Sequence, residues 1–201
     1  MIRAGLTGGM ACGKSFVASA LADLGCHVVR ADELGHQALL PGGAAYAPVV
    51  DEFGAGIVDA SGHIDRKLLA AQVFGNPERL ASLNAIVHPA VIEMQEQFLA
   101  AAERVDPTGI GIVEAAILIE TGSYRRFHKL IVVTCTVEQQ IQRAVHRDGC
   151  TPEQARNRLS RQLPVEEKTR FADYVIDTSG EKQRTLEQTR AVFESLRSLA
   201  K

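Results

Sequence analysis

The segment Gly8-Gly9-Met10-Ala11-Cys12-Gly13-Lys14-Ser15 has the spacing G-x-x-x-x-G-K-[ST], and its neighbours restrict what the chain can fold into. Ile2–Leu6 is a short, mostly apolar run, and Lys14–Leu24 carries apolar residues at helical spacing. That order predicts strand, glycine-rich loop, helix. Glycines let such a loop curl until its backbone N–H groups face one point, and the helix N-terminus adds positive potential there. The ligand that suits this cradle is a polyphosphate. Lys14 can reach the outer phosphates and the Ser15 hydroxyl can ligate Mg²⁺. The expected nucleotide-binding set is Gly9, Met10, Ala11, Cys12, Gly13, Lys14, Ser15 and Phe16, with Lys14 exposed while the loop is empty.

Short β-like runs alternate with helical patterns along the remaining chain. The runs are Ile2–Leu6, His27–Val29, Ile110–Glu114, Lys129–Cys135 and Tyr174–Ile176; the helical patterns include Lys14–Leu24, Pro89–Arg104, Val137–Arg147 and Glu181–Leu199. This alternation predicts an α/β fold, a doubly wound parallel five-stranded sheet with the loop at its carboxyl end. Two stretches break the rhythm. Asp32 to about Ala102 is nearly all helical or loop, too long for a simple crossover, and reads as an inserted helical subdomain. The stretch from Arg143 to Arg170 carries Arg143, Arg147, Arg156, Arg158, Arg161, Lys168 and Arg170, more bases than acids.

Composition excludes several function classes. The chain has 201 residues, is 46% hydrophobic and carries a net charge of −2, which lacks the basic excess of a nucleic-acid binder. Its apolar runs are too short to span a bilayer, and Leu6 leads straight into the loop with no signal-peptide segment. Cys12, Cys26, Cys135 and Cys150 are dispersed without a C-x-x-C pair and read as reduced cytosolic thiols. Cys12 reads as a small residue tolerated at a variable loop position. The histidines lack the spacing of a helical zinc site.

Other residues are candidates for chemistry. The run Ile110–Val113 ends in Glu114, either an acid holding Mg²⁺ through water or a solvent-facing strand-end residue. Asp32 follows the second strand directly, as a base for an acceptor hydroxyl or as the N-cap of a helix Glu33–Leu39. The arginine-rich stretch reads as a lid over ATP, with Arg147 and Arg158 as its phosphate contacts, or as solvated helix surface. His88, before Pro89 at an expected helix start, is a packed or capping histidine on its own merits. There is no N-K-x-D and no L-S-G-G-Q, so a small-molecule kinase fits better than a GTPase or a transporter ATPase.

Taken together the motifs resemble the dephospho-coenzyme A kinase family, almost end to end. They are Gly5-Leu6-Thr7-Gly8-Gly9 leading into Gly13-Lys14-Ser15, Ala31-Asp32, Phe53-Gly54, Gly62-His63-Ile64-Asp65-Arg66 and Ile86-Val87-His88-Pro89. Further along stand Ile117-Leu118-Ile119-Glu120, Arg147-Asp148-Gly149, Arg158, Gln162, Lys168 and Ala172-Asp173-Tyr174-Val175-Ile176-Asp177. The resemblance implies ATP- and Mg²⁺-dependent phosphorylation of the dephospho-CoA ribose 3′-hydroxyl, in the cytoplasm, with no nucleic-acid or membrane partner. It implies a P-loop kinase-like core (1–31, 105–142, 172–201), a helical CoA-binding subdomain (about 32–104) and a lid (about 143–171), in a monomer or weak homo-oligomer. Asp32, Lys14 and Arg147 become the catalytic set; Thr7, Asp32, Arg66, His88 and Glu120 become substrate-binding, Arg66 and His88 in the acceptor-binding region, with Ser15 on the metal. Four positions depart from the family pattern: Arg30 and Asn84 bear on acceptor contacts, Thr178 on adenine recognition, and Ala116 replaces a usual proline. The nearest rival reading is a nucleoside monophosphate kinase; a non-catalytic nucleotide switch is another.

Overall fold

The structure, a computed structural model, describes residues 1–200. Five strands, β1 (Ile2–Gly8), β2 (His27–Arg30), β3 (Ile110–Glu114), β4 (Lys129–Thr134) and β5 (Tyr174–Asp177), form one sheet in the order β2-β3-β1-β4-β5. β1 is central and pairs in parallel with β3 and β4, Leu6 standing opposite Glu114 on one side and Ile131 on the other. Every residue of β3 is buried, as near-continuous apolar runs in a covered parallel sheet should be. This is the doubly wound α/β architecture that the alternation predicts.

The helices are α1 (Lys14–Asp23), α2 (Ala31–Ala38), α3 (Tyr46–Phe53), α4 (Arg66–Val73), α5 (Pro77–Val105), α6 (Val137–Asp148), α7 (Pro152–Leu159), α8 (Val165–Lys168) and α9 (Lys182–Leu199). Val17, Ala18 and Leu21 of α1 and Val192, Phe193 and Leu196 of α9 pack with Ala4, Leu6, Ile112, Ile131, Val133 and Ile176 of the sheet in one core. Leu196 is fully buried there, and burying one leucine contributes about 1.5–3 kcal/mol. The core therefore holds β1 rigid just where the loop leaves it. Among the described residues no helix is long and apolar enough to cross a membrane.

The chain divides into two compact units, one formed by Met1–Val29 with the chain from Leu99 onward, the other by Arg30–Phe98. Within the second unit Asp65 caps α4, its carboxylate accepting from the Lys67 and Leu68 N–H groups. The Tyr46 hydroxyl donates to the Gly62 carbonyl at 2.6 Å, and the Arg79 guanidinium lies 4.9 Å from the centre of the Phe53 ring.

Two local expectations are corrected. Pro89 does not begin a helix; α5 starts at Pro77 and carries Pro89 in its interior. An interior proline removes the bond to the carbonyl four residues back. Here that residue is Ala85, which is exposed, so water can satisfy its carbonyl. Asp32 is not an N-cap: α2 begins at Ala31, Arg30 holds the cap position, and no side chain caps it.

Candidate active site

The glycine-rich loop leaves β1 at Gly8, where a Cβ would collide with the Val133 carbonyl oxygen, so only glycine lets the two strands approach this closely. Gly13, with φ of 83°, turns the chain into α1. Ala11, at φ of 56°, is the only non-glycine residue with positive φ among the described residues, at a cost of about 1–2 kcal/mol. Backbone strain of this kind gathers where a loop is shaped for a ligand.

Lys14 is half-buried rather than exposed. Its ammonium donates to the Gly9 carbonyl at 2.9 Å and the Gly8 carbonyl at 3.2 Å, which turns the charge into the curl of the loop. The Ser15 hydroxyl donates to Glu114 Oε1 at 2.9 Å, and Glu114 is only 7% exposed, so the solvent-facing alternative for Glu114 falls. Hydroxyl and carboxylate are hard oxygen donors that fit Mg²⁺. No cluster of three or more His, Cys, Asp or Glu side chains able to hold a metal exists among the described residues. Magnesium here would complete its shell with phosphate oxygens and water.

Two helices flank the loop because their ends are strongly specified. Thr136 with Gln139 and Thr151 with Gln154 form capping boxes for α6 and α7, Pro152 opens α7, and Gly149 at φ of 63° closes α6. Ala144, Cys150 and Ala155 seal the hairpin, and Met10 and Ala11 of the loop pack against that seal. Asp148, at the end of α6, braces two arginines: Arg147 Nε at 2.7 Å and Arg158 Nη1 at 3.0 Å. Hydrogen bonding from Arg147 holds the Asp148 carboxyl below its ordinary range, with the charges of both arginines assisting. Gln162 Oε1 accepts from the Met10 backbone N–H at 2.9 Å, so a side chain beyond α7 takes up one backbone donor of the loop.

Lys168 is wholly buried. Its ammonium meets Glu120 Oε1 at 2.8 Å and donates to the Ala116 carbonyl at 2.9 Å, and the same Glu120 oxygen accepts from the Leu163 N–H. Thr7, also fully buried, donates its hydroxyl to the Ala116 carbonyl at 3.2 Å. Thr178 bridges the loop to β4, donating to the Cys12 carbonyl at 2.8 Å and the Thr134 carbonyl at 3.1 Å, while Arg143 holds its oxygens. Cys12 Sγ accepts from Cys135 Sγ at 3.5 Å and from Gln140 Nε2 at 3.1 Å. The Cys135 hydrogen bond brings the Cys12 thiol down to about 7 against the opposing effect of burial, with Lys14 assisting. That same bond and burial push the Cys135 thiol up.

The first unit thus contains Thr7, the loop from Gly9 to Phe16, Glu114 and Glu120, while Arg147 and Arg158 stand exposed on Asp148 at the end of α6. Asp32, Arg66 and His88 belong to the second. There Asp32 sits exposed in the first turn of α2, Arg66 opens α4, and His88 lies half-buried in α5. Among the described residues none of these three side chains makes a hydrogen bond or ion pair. The buried Lys168–Glu120 pair, the Gln162 contact and the Cys12–Cys135 contact were outside any role read from sequence. Lys168 and Gln162 stood in the family motifs without an assigned partner.

A parallel sheet with a G-x-x-x-x-G-K-S loop at the end of its central strand, an acid of the next strand on the loop serine, and arginine-bearing helices beside it define a P-loop kinase. Residues 2–184 match the family model for dephospho-CoA kinase. The dephospho-CoA kinase of Aquifex aeolicus is 41% identical over 196 residues, 98% of each chain, and that of Geobacillus kaustophilus is 39% identical over 199 residues, again 98% of each. The chain belongs to the dephospho-CoA kinase family. Among solved structures, a Thermus thermophilus protein superposes with a TM-score of 0.82 at 32% identity over 97% of each chain. Shikimate kinase from Bacteroides thetaiotaomicron shares the fold, with a TM-score of 0.54 at 13% identity over 97% of this chain and 98% of that one.

Proposed function

We propose that the chain transfers the γ-phosphoryl group of ATP to the ribose 3′-hydroxyl of dephospho-CoA, giving CoA and ADP, with Asp32, Lys14 and Arg147 as catalytic residues. The observation that carries this reading is the Ser15–Glu114 contact under a glycine loop, in a chain of this family. Phosphoryl transfer asks mainly for positioning and for positive charge around the moving group. Lys14 leaves the Gly8 and Gly9 carbonyls for the outer phosphates, and the loop N–H groups from Gly9 to Phe16 take the others. Ser15, with Glu114 acting through water, would hold Mg²⁺, which would supply charge neutralisation on the phosphate oxygens.

Asp32 accepts or orients the 3′-hydroxyl proton; its carboxylate is exposed and has no competing partner among the described residues. Arg66 and His88 bind the acceptor, and Glu120 contributes through Oε2, since Oε1 is taken by Lys168 and Leu163. Thr7 acts on the acceptor through the Ala116 segment that it holds. Residues of about 32–104 form the acceptor-binding subdomain, and about 143–171 form a lid that brings Arg147 and Arg158 onto the phosphates. We place the reaction in the cytoplasm, in a monomer or weak homo-oligomer without a nucleic-acid partner.

Incubating the purified chain with ATP, Mg²⁺ and dephospho-CoA should yield CoA and ADP in equal amounts, with AMP, CMP and UMP not consumed above background. Turnover of a nucleoside monophosphate in place of dephospho-CoA would overturn the reading.

A further inference from the structure

Cys12 lies inside the phosphate loop and Cys135 just beyond the end of β4, and their sulfurs stand 3.5 Å apart. Both are free thiols. A disulfide needs about 2.05 Å, so the two must approach by about 1.5 Å. Cys135 lines an open cavity of about 490 Å³ together with Thr134, Thr136, Asp177 and Ser179, and Cys12 lies fully buried directly behind it, so a small oxidant reaches the Cys12 sulfur by passing Cys135. A peroxide is barely larger than the water that such a cavity admits.

The geometry points to Cys12 and Cys135 as an oxidative modification site, where a hydroperoxide converts the pair to a disulfide and closes the phosphate loop to nucleotide. The surroundings favour Cys12 as the attacking sulfur: the Gln140 amide N–H donates to it and the Lys14 ammonium lies near enough to favour its thiolate. Cys12 thiolate attacks one peroxide oxygen; the O–O bond breaks, and the departing hydroxide takes a proton to become water. The Cys12 sulfenic acid so formed is attacked by Cys135 sulfur, the S–O bond breaks, and the Cys135 proton leaves with the hydroxyl as a second water. The dithiol has lost two electrons and two protons, and the peroxide has gained them.

The product is incompatible with the open cradle. Cys12 is flanked by the strained Ala11 and by the turn at Gly13, its carbonyl is held by Thr178, and the space where a Gly9 Cβ would sit lies 3.1 Å from its sulfur. Drawing the Cys12 sulfur toward β4 therefore shifts the loop backbone rather than the side chain alone. Selectivity follows from the surroundings: Cys12 is fully buried but has hydrogen-bond donors and a cation beside it, whereas at Cys26 burial acts alone and pushes the thiol up to about 12, where it stays protonated and inert.

The test uses the full chain and reads nucleotide binding, so it does not depend on which acceptor is phosphorylated. Treat with hydrogen peroxide, quench with catalase, measure intact mass and peptides, and determine ATP affinity before and after dithiothreitol. The expected result is loss of two hydrogens, a Cys12–Cys135 cross-linked peptide, at least ten-fold weaker ATP binding, and recovery on reduction. Cys135→Ser and Cys135→Ala should bind ATP as the reduced parent does and show no loss that dithiothreitol reverses. If either variant fails to fold, the parent's own cross-link and affinity still decide the matter. Absence of the cross-linked peptide, or a cross-linked chain that binds ATP like the reduced one, overturns the proposal.

Discussion

Ser15 Oγ donates to Glu114 Oε1 across 2.9 Å, joining the last residue of the phosphate loop to the last residue of β3. Glu114 is the register partner of Leu6, two residues before β1 ends at Gly8, so the sheet fixes where its carboxylate stands beside the loop. Glu114→Gln preserves volume and an acceptor oxygen but removes the charge. Replacing such an outer partner of a metal ligand weakens metal binding by about 10–100-fold. Half-saturating Mg²⁺ in the kinase assay should therefore rise by that factor, with the fold retained by circular dichroism. An unchanged Mg²⁺ requirement would remove Glu114 from the metal site.

Asp32→Asn tests charge without touching a cap, since Arg30 rather than Asp32 holds the cap position of α2. The expected loss in kcat is on the order of 10²–10⁴, the range for a proton acceptor in the transition state. Exposed and without a partner, the residue should change stability by less than about 1 kcal/mol. Normal turnover would send the search for the base elsewhere.

Arg147→Ala should lower kcat more than it raises the KM for ATP, because a side chain that closes on the moving phosphate acts chiefly in the transition state. Asp148 positions that arginine, and its pH behaviour follows from its lowered folded pKa. A carboxyl depressed on folding adds stability above its unfolded value and loses it as pH falls through the folded one. Assays between about pH 6 and 9 should thus show the brace intact, with any weakening confined to acid below the usual carboxylate range.

Lys168→Met exchanges a buried ammonium for an apolar side chain of similar length. Removing one partner of a buried ion pair costs about 3–5 kcal/mol. Glu120 keeps 22% of its side chain exposed and can be partly hydrated, so about 2–3 kcal/mol is expected in urea unfolding. A change below about 1 kcal/mol would show that the pair positions the chain without stabilising it.

The sequence makes the loop and the sheet legible because both are local: spacing of glycines and runs of apolar residues carry them. Glu114 was legible as an acid at a strand end, but not that its side chain is buried against Ser15. Pro89 misled because a proline reads as a helix start until tertiary packing keeps the helix going through it. The Cys12–Cys135 and Glu120–Lys168 contacts join residues far apart in the chain, and no local pattern encodes which side chains a parallel sheet will bring together. Gln162 was visible as a motif residue, yet its partner is a backbone N–H, which leaves no mark in sequence.

The Met10 N–H has a single hydrogen to give, and Gln162 Oε1 takes it. A phosphate oxygen that approaches the same N–H competes with the glutamine for it, so nucleotide binding and the Gln162 contact are linked. By thermodynamic reciprocity, whatever loosens that contact beforehand tightens the grip on nucleotide. The glutamine acts as a resident competitor, built into the chain, against which every incoming triphosphate is weighed.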